Sequence, residues 1–276
     1  MLTANVGCKE IVRNTIAFLL LCAVQVNVFA SDDRVRPDRP GFTTNSERVR
    51  PDRPGFTTGT YTVKPGNVIV ELGYQYAFGS NNNDQSTQTL PLMDLRIGLT
   101  PKIELDLLWD GWNTEYAENQ PSDTSVADLS IGGKYRIHKS SIYNLTMLGL
   151  LSLPVGSSPS TSDSVDPLLG LLWDYSLTSK VGLFGEALAD SYTYGGDRIY
   201  DAQLAIGAGF RNTDRITTFI EIYGILPSEA KLNDEIVIDG GVSYLYRNHT
   251  RLDASVGVGL NDTSDNFIGF GIATLY

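Results

Sequence analysis

From residue 66 to the end of the chain, apolar and polar residues alternate with a period of two. In residues 67–78, Val68, Val70 and Leu72 share one side, while Glu71 and Gln75 share the other. This alternation is typical of a β-strand that has one apolar and one polar face. About twelve such segments follow one another along the chain. The pattern therefore predicts an all-β fold for residues 66–276.

The connections between these segments are of two kinds, and this favours a membrane barrel over a soluble sandwich. Short links lie at residues 100–102, 138–141, 178–179, 212–214 and 248–249. Longer polar links alternate with them, at Gly79–Ser86, Asn113–Ser125, Gly156–Ser164, Ser191–Asp197 and Ser228–Asp234. Short turns at one end and long loops at the other are the layout of outer-membrane barrels. We therefore predict a transmembrane, antiparallel, up-and-down β-barrel of about twelve strands.

Aromatic residues on the apolar face support the same prediction. They cluster where strands reach the short-turn end: Tyr135, Tyr175, Phe210, Tyr244, Tyr246 and Tyr276. Rings at one level suggest an aromatic girdle at a membrane interface. The last strand carries Phe270, Ile272 and the terminal Tyr276, which resembles the signal by which outer-membrane barrels are inserted. The expected partners are outer-membrane lipid and the barrel-assembly machinery.

The first 30 residues have the layout of a secretory signal peptide. Lys9 and Arg13 precede a short apolar run, which leads to Ala30 and the acidic pair that follows it. The apolar run is about half of the roughly 20 residues that a spanning helix needs, so cleavage after Ala30 is favoured over a membrane anchor. A lipoprotein site at Cys22 is disfavoured by the bulky Leu21 before it. The leader predicts export to the outer membrane of a Gram-negative envelope.

Both cysteines of the chain, Cys8 and Cys22, fall inside this leader. A mature chain without cysteine has no disulfide framework, zinc–thiolate site or cysteine nucleophile. The net charge of −11 argues against nucleic acid as a partner.

A proline-rich arm, residues 31–65, precedes the barrel. Its residues 34–44, Arg-Val-Arg-Pro-Asp-Arg-Pro-Gly-Phe-Thr-Thr, recur without change at residues 48–58. Four prolines in these two copies prevent regular ladder pairing, so the arm should be extended or polyproline-like. Two interpretations remain open: a disordered periplasmic arm, or a segment inside the barrel lumen, which its arginines favour in an acidic protein.

Charged residues on the polar face are the candidate lumen lining, because they would be costly against lipid. They are Glu71, Asp94, Arg96, Glu104, Asp106, Asp128, Lys134, Arg136, Asp174, Glu186, Asp201, Arg211, Glu221, Asp239, Arg247 and Asp253. Such charges can line an aqueous path that favours cations, or pair across the lumen and close it. Glycines 132, 207, 209, 241, 257 and 259 would leave space in the lumen and favour the open path.

An enzyme is the rival class, since a Ser–His hydrolase could sit on the outer surface of such a barrel. The only histidines, His138 and His249, are predicted at short turns, away from the long loops, which disfavours this class. Acidic loops such as residues 160–166 match no calcium-loop pattern, so no metal or other cofactor is predicted.

Several segments resemble the outer-membrane transporter family named for the meta-pathway of phenol degradation. The resemblance begins at Asp52-Arg-Pro-Gly-Phe-Thr57, Tyr61–Gly66 and Glu71-Leu-Gly-Tyr74. It continues through residues 95–100, 128–135, 152–156, 166–167 and 252–262, although the extra copy at 34–44 departs from the usual single opening. The resemblance implies a barrel that takes up small solutes, hydrophobic or aromatic ones among them.

Three functional hypotheses follow from these observations. The leading one is a passive channel for small solutes. The alternative is a closed structural or adhesive barrel without transport, and the remote one is a surface lipid hydrolase.

Overall fold

A computed structural model describes residues 48–79, 85–229 and 232–276. These residues contain fourteen strands. The strands are β1 (Val68–Phe78), β2 (Gln85–Gly98), β3 (Ile103–Trp109), β4 (Trp112–Ala117), β5 (Asp123–Val126), β6 (Leu129–Lys139), β7 (Tyr143–Leu153), β8 (Asp166–Ser176), β9 (Val181–Tyr194), β10 (Asp197–Arg211), β11 (Ile216–Pro227), β12 (Glu235–Arg247), β13 (Thr250–Gly259) and β14 (Asn266–Leu275).

Twelve of these strands close into an antiparallel barrel, which confirms the predicted fold class. Neighbouring strands follow the chain order from β1 to β14, and β1 pairs with both β14 and β2 to complete the ring. The other two strands, β4 and β5, form a hairpin that extends the barrel wall beside β2. Gly111, with φ of +54°, separates β3 from β4, and both of these strands pair with β2.

The two faces of the wall differ as the alternation predicts. Along β1, Ile69 and Glu71 point inward and are buried, whereas Leu72 points outward and is 40% exposed. The outward aromatic residues of the short-turn end are exposed as well: Tyr135, Tyr175, Phe210, Tyr244, Tyr246 and Tyr276. In the last strand Phe270 and Ile272 also face outward. An apolar outer face with a ring of aromatics suits a barrel wall in contact with lipid.

The five short links lie together at one end of the barrel, which we call the short-turn end. They comprise residues 99–102, 140–142, 177–180, 212–215 and 248–249. The opposite end, the loop end, carries the remaining connections. Two of these differ from the prediction. Residues 113–125 are mostly the β4–β5 hairpin, and β9 and β10 continue to a two-residue turn at Gly195 and Gly196.

The β9–β10 link was predicted as a long loop, and this prediction was wrong. Gly195 and Gly196 have φ of +61° and +91°, which is the left-handed backbone that tight hairpin turns require. Tyr192 and Thr193 pair with Ile199 and Arg198 in the extended ladder.

Among the described residues, none forms a helix long and apolar enough to cross a membrane.

Candidate functional site

Residues 48–66, which we call the lumenal segment, run through the interior of the barrel. The segment begins at the short-turn end, where the Val49 N–H donates to Asn248 O at 2.9 Å and Arg48 Nη1 donates to Asp214 O at 3.1 Å. It returns to the same end, where the Gly66 N–H donates to Gly98 O at 3.1 Å, just before β1 begins. The lumenal segment therefore enters and leaves the barrel on one side. Residues 31–47 of the predicted arm lie outside the described residues.

Buried glutamates of the wall hold the backbone of the lumenal segment. Glu71 of β1 accepts the N–H groups of Asp52, at 2.9 Å, and Arg53, at 3.0 Å. Glu221 of β11 accepts the N–H of Phe56 at 2.6 Å, together with the N–H and hydroxyl of Thr57. Because prolines keep this segment out of a β-ladder, carboxylates take the place of carbonyl acceptors.

Two further glutamates and an aspartate continue this pattern along the segment. Glu186 of β9 accepts the N–H of Thr58 at 2.7 Å, and Glu104 of β3 accepts the N–H of Val63. The Thr60 hydroxyl donates to Asp174 of β8. Glu221 and Glu186 each lie five residues along their strands from the short-turn end. The segment therefore reaches about 16 Å along the wall, at about 3.3 Å per residue.

Arg96 of β2 joins the wall to the lumenal segment. Its guanidinium contacts Glu71 at 3.1 Å, Glu104 at 2.9 Å and Asp52 at 3.2 Å, and its side chain is fully buried. It also donates to the carbonyl oxygens of Arg50 at 3.1 Å and Tyr61 at 3.0 Å. A buried arginine with this many acceptors is satisfied in both charge and hydrogen bonding.

Lys134 and Arg136 of β6 extend the same network. Lys134 Nζ contacts Asp52 and lies 3.1 Å from Glu104, while Arg136 donates to the carbonyl oxygen of Thr62 at 3.2 Å. The wall residues of this network come from the neighbouring strands β1, β2, β3 and β6. These ion pairs therefore run along the wall, and the lumenal segment supplies the contacts that cross the lumen.

Arg53 of the lumenal segment lies in a slot made by two glycines. Gly73 of β1 and Gly271 of β14 are register partners, and a methyl group on either would lie within 2.4 Å of the Arg53 guanidinium. Arg53 Nη2 donates to Phe270 O at 3.3 Å and lies 3.6 Å from Asp253 of β13. The absence of side chains at this glycine pair is what admits the arginine.

Aromatic rings fill much of the remaining interior near the lumenal segment. Phe56 stacks on Tyr223 of β11 with ring centroids 4.0 Å apart and planes 5° from parallel. Three wall phenylalanines lie over glycines on the neighbouring strand, in the register pairs Phe184–Gly207, Phe219–Gly241 and Phe267–Gly257. A methyl group at any of these three glycines would lie within 2.7 Å of the ring. These glycines therefore accommodate phenylalanine rings and do not leave open space, contrary to our expectation.

Most of the predicted lumen-lining residues lie among the interior-facing positions. The buried carboxylates are Glu71, Glu104, Asp106, Asp174, Glu186, Asp201, Glu221, Asp239 and Asp253, and Asp94 is partly exposed. The buried predicted cations are Arg96, Lys134 and Arg136.

Asp128 and Arg211 lie at opposite rims of the wall. Asp128 precedes β6 and fixes a loop, because it accepts the N–H of Gly156 at 2.9 Å and the hydroxyl of Thr161 at 3.0 Å. Arg211 donates to Asp214 in the turn after β10. This hydrogen bond and the charge of Arg211 lower the pKa of Asp214.

Arg247 is a correction to the predicted lining, because its side chain is exposed. The pairing of β12 with β13 shifts between Leu245 and Arg247, so Tyr246 forms an irregularity that breaks the period of two. The Arg247 guanidinium lies over the Tyr246 ring at 5.3 Å.

Sequence reasoning missed Arg251 and the partners of the glutamates. Arg251 of β13 is 1% exposed and donates to Ser243 at 3.1 Å. It lies two residues before Asp253 and shares its face, so the alternation could have identified it. No comparable period marks which backbone N–H of the lumenal segment meets which glutamate.

Two other candidate chemistries can be placed in the structure. Oxygens of Asp52, Glu71 and Asp94 lie within 4.8 Å of one another, a spacing that would suit a cation. Arg96 already provides positive charge at Glu71 and Asp52. His138 and His249 both lie at the short-turn end, and the His138 ring contacts Tyr143.

Comparison with known proteins places this barrel among outer-membrane channels in fold. An outer-membrane channel from Pseudomonas putida F1 has a TM-score of 0.62 at 11% identity, covering 81% of this chain and 99% of that chain. The NanC porin has a TM-score of 0.51 at 9% identity, covering 75% of this chain and 98% of that chain. No curated protein matches the sequence. The family model described as "Putative MetA-pathway of phenol degradation" matches residues 51–275, and the chain therefore belongs to that family.

Proposed function

We propose that this protein is a channel for small solutes across the bacterial outer membrane, closed by its lumenal segment. The observation that carries the proposal is the way the interior is filled. Side chains of the wall fill the interior of the smallest barrels, whereas here a separate segment occupies the short-turn half. Between its two ends, which hydrogen-bond to backbone carbonyls at the short-turn end, that segment is held by side chains and not by a β-ladder, so it can leave without opening the wall.

The location in the outer membrane is part of this proposal. The apolar outer face, the exposed aromatic residues of the short-turn end and the predicted leader all support it. Phe270, Ile272 and Tyr276 face outward on the last strand, where the assembly machinery could recognise them. In this orientation the short-turn end faces the periplasm, and the lumenal segment closes the channel from that side.

The wall charges support cations among the solutes. The wall has nine buried carboxylates and only four buried basic residues among the described residues, namely Arg96, Lys134, Arg136 and Arg251. The lumenal segment carries Arg48, Arg50 and Arg53, and Arg53 lies 3.6 Å from Asp253 on this surface. Once the segment leaves, the lumen would carry an excess of negative charge and attract cations.

An apolar patch on the interior of β7, β8 and β9 supports uptake of apolar or aromatic molecules as well. Leu148, Leu172 and Leu188 are buried there, with Leu150 and Leu168 packed against them. The name of the matched family, which refers to phenol degradation, points to the same class of solute.

Swelling of liposomes that contain the purified protein tests this proposal. We expect slow entry of small neutral solutes through the full exported chain and fast, size-dependent entry after deletion of residues 31–60. Migration on unheated gels would show that both barrels are folded. A folded, deleted barrel that admits no solute faster than empty liposomes would favour the closed structural barrel.

A further inference from the structure

The contacts of the lumenal segment with the wall involve residues that occur twice in the chain. Val49 packs in a buried cluster with Ile69 and Leu245, and Asp52 pairs with Arg96. Phe56 stacks on Tyr223, and Thr57 donates to Glu221. All four of these residues belong to the second copy of the repeated sequence, residues 48–58.

Every one of these residues has an identical counterpart fourteen positions earlier. The counterparts of Val49, Asp52, Arg53, Phe56, Thr57 and Thr58 are Val35, Asp38, Arg39, Phe42, Thr43 and Thr44. Residues 34–44 themselves lie outside the described residues. Because the two copies are identical, the wall has no means of telling them apart over these eleven residues.

The residues that follow each copy differ in their fit to the wall. Two contacts would be kept after a shift of fourteen residues, since Ser46 would bring a hydroxyl to the Thr60 position and Val49 would take the Val63 position. Two would become unfavourable. A Cβ at Gly59 would lie 2.8 Å from the Asp52 carboxylate of the same copy, and after the shift Asn45 would bring such a Cβ against Asp38. The shift also places Arg48 at the Thr62 position, beside Arg136.

We propose that the barrel interior is a binding site for the repeated sequence and that residues 34–44 are its second occupant, exchanging with residues 48–58. The second copy is preferred because Gly59 fits against the Asp52 side chain of its own copy and Thr62 accepts from Arg136 of the wall. The first copy binds when the second is weakened or withdrawn. This inference concerns which segment occupies the site and does not require that the barrel transport a solute.

The chain connection permits the exchange. With the second copy bound, residues 64–67 link the Val63 position to β1 at the short-turn end. With the first copy bound, residues 50–67 would make the same link. This longer connection would leave the barrel at the short-turn end, where the segment already enters and leaves.

Cysteine cross-linking in the full chain tests the exchange, with Cys8→Ala and Cys22→Ala removing the natural thiols. A cysteine replaces Glu186, which accepts the N–H of Thr58, and a second cysteine replaces either Thr58 or its counterpart Thr44. A short bis-thiol reagent then reports which copy occupies the site. We expect efficient cross-linking of the Thr58 variant and weak cross-linking of the Thr44 variant.

Weakening the second copy should reverse this ratio. Asp52→Ala with Phe56→Ala removes contacts that the first copy still has, so the ratio of Thr44 to Thr58 cross-links should rise by about tenfold or more. Adding Asp38→Ala and Phe42→Ala should cancel the rise. Phe56→Ala alone, which keeps every ion pair of Asp52, covers the case in which the double variant does not fold.

A Thr44 cross-link that stays at its original low yield in a folded, weakened barrel would overturn the proposal. A rise that persists after Asp38→Ala and Phe42→Ala would overturn it as well, since the repeated residues would then not be what binds. Neither outcome depends on conductance, so failure of the exchange is distinguishable from failure of the channel proposal.

Discussion

Glu221 is the residue whose loss should most directly release the middle of the lumenal segment. Glu221→Ala removes the acceptor for two N–H groups and one hydroxyl at Phe56 and Thr57. Hydrogen bonds to a charged group contribute about 1.5–3 kcal/mol each, so the released state should be at least about tenfold more populated. Chymotrypsin cleavage after Phe56 measures this population when release is fast relative to cleavage.

Two variants calibrate this prediction. Glu221→Gln keeps one acceptor oxygen and should show a smaller increase in the cleavage rate. Glu115→Ala, on the β4–β5 hairpin beside the barrel, removes an exposed carboxylate and should leave the rate unchanged. Equal cleavage rates for Glu221→Ala and the unaltered chain would show that this carboxylate does not hold the segment.

The glycine slot around Arg53 gives a second prediction. In Gly73→Ala the added methyl group would lie 2.3 Å from Arg53 Cζ, so the guanidinium must move away from Asp253. Overpacking of this kind costs about 1–3 kcal/mol. We expect faster chymotrypsin cleavage after Phe56 than in Gly269→Ala, where the added methyl group would come no closer than 3.0 Å to its neighbours. Equal cleavage rates in Gly73→Ala and Gly269→Ala would show that Arg53 does not depend on the space left by the glycine pair.

Which side chains point inward could be predicted from sequence, because the period of two is local and the wall keeps it. Glu71, Arg96 and Glu104 were identified in this way, and all three are buried. The period fails at Arg247, where a local irregularity at Tyr246 turns the chain by one residue. The period of two also gives no information about the proline-rich lumenal segment, because the position of that segment depends on contacts with distant strands.

At the scale of strands, the outward face of β10 should be sensitive to charge. Ile206 lies in the middle of this strand and is 51% exposed on the outer face. An arginine at the membrane midplane costs about 2–4 kcal/mol, so Ile206→Arg should make the free energy of folding into lipid vesicles less favourable by about that amount. Ser179→Arg, at an exposed position in a short turn, should have little effect. Equal stabilities in urea titrations would argue against a lipid-facing wall.

The twelve barrel strands and their order could be predicted because alternation and short turns each depend on residues that are close together in the sequence. The β9–β10 link could not be placed correctly, since Ser191–Asp197 is polar throughout and reads as a loop. The turn depends on Gly195 and Gly196, and the polar strand ends pair because the ladder continues beyond the apolar band. Phe184 and Phe219 are buried on the inward, mostly polar face of the wall, where each covers a glycine of the adjacent strand.

At the scale of the whole molecule, the distribution of charge predicts ion selectivity. In the barrel without residues 31–60, the wall carboxylates face the lumen without the arginines of the segment, and cations should be favoured. Asp239→Lys reverses a buried charge next to Glu221 and should lower the cation-to-anion permeability ratio by about twofold or more. Asp123→Lys, exposed on the β4–β5 hairpin, is the control. A cation-to-anion permeability ratio that is unchanged by Asp239→Lys would show that the ions do not pass close to Asp239.

The central claim is that the lumenal segment closes a channel that the wall would otherwise leave open. Single-channel recording in planar bilayers, with and without residues 31–60, tests this claim most directly. We predict low or brief conductance for the full exported chain and a stable, larger, cation-selective conductance for the deleted barrel. A deleted barrel that is folded and inserted but conducts no more than the bare bilayer would contradict the claim.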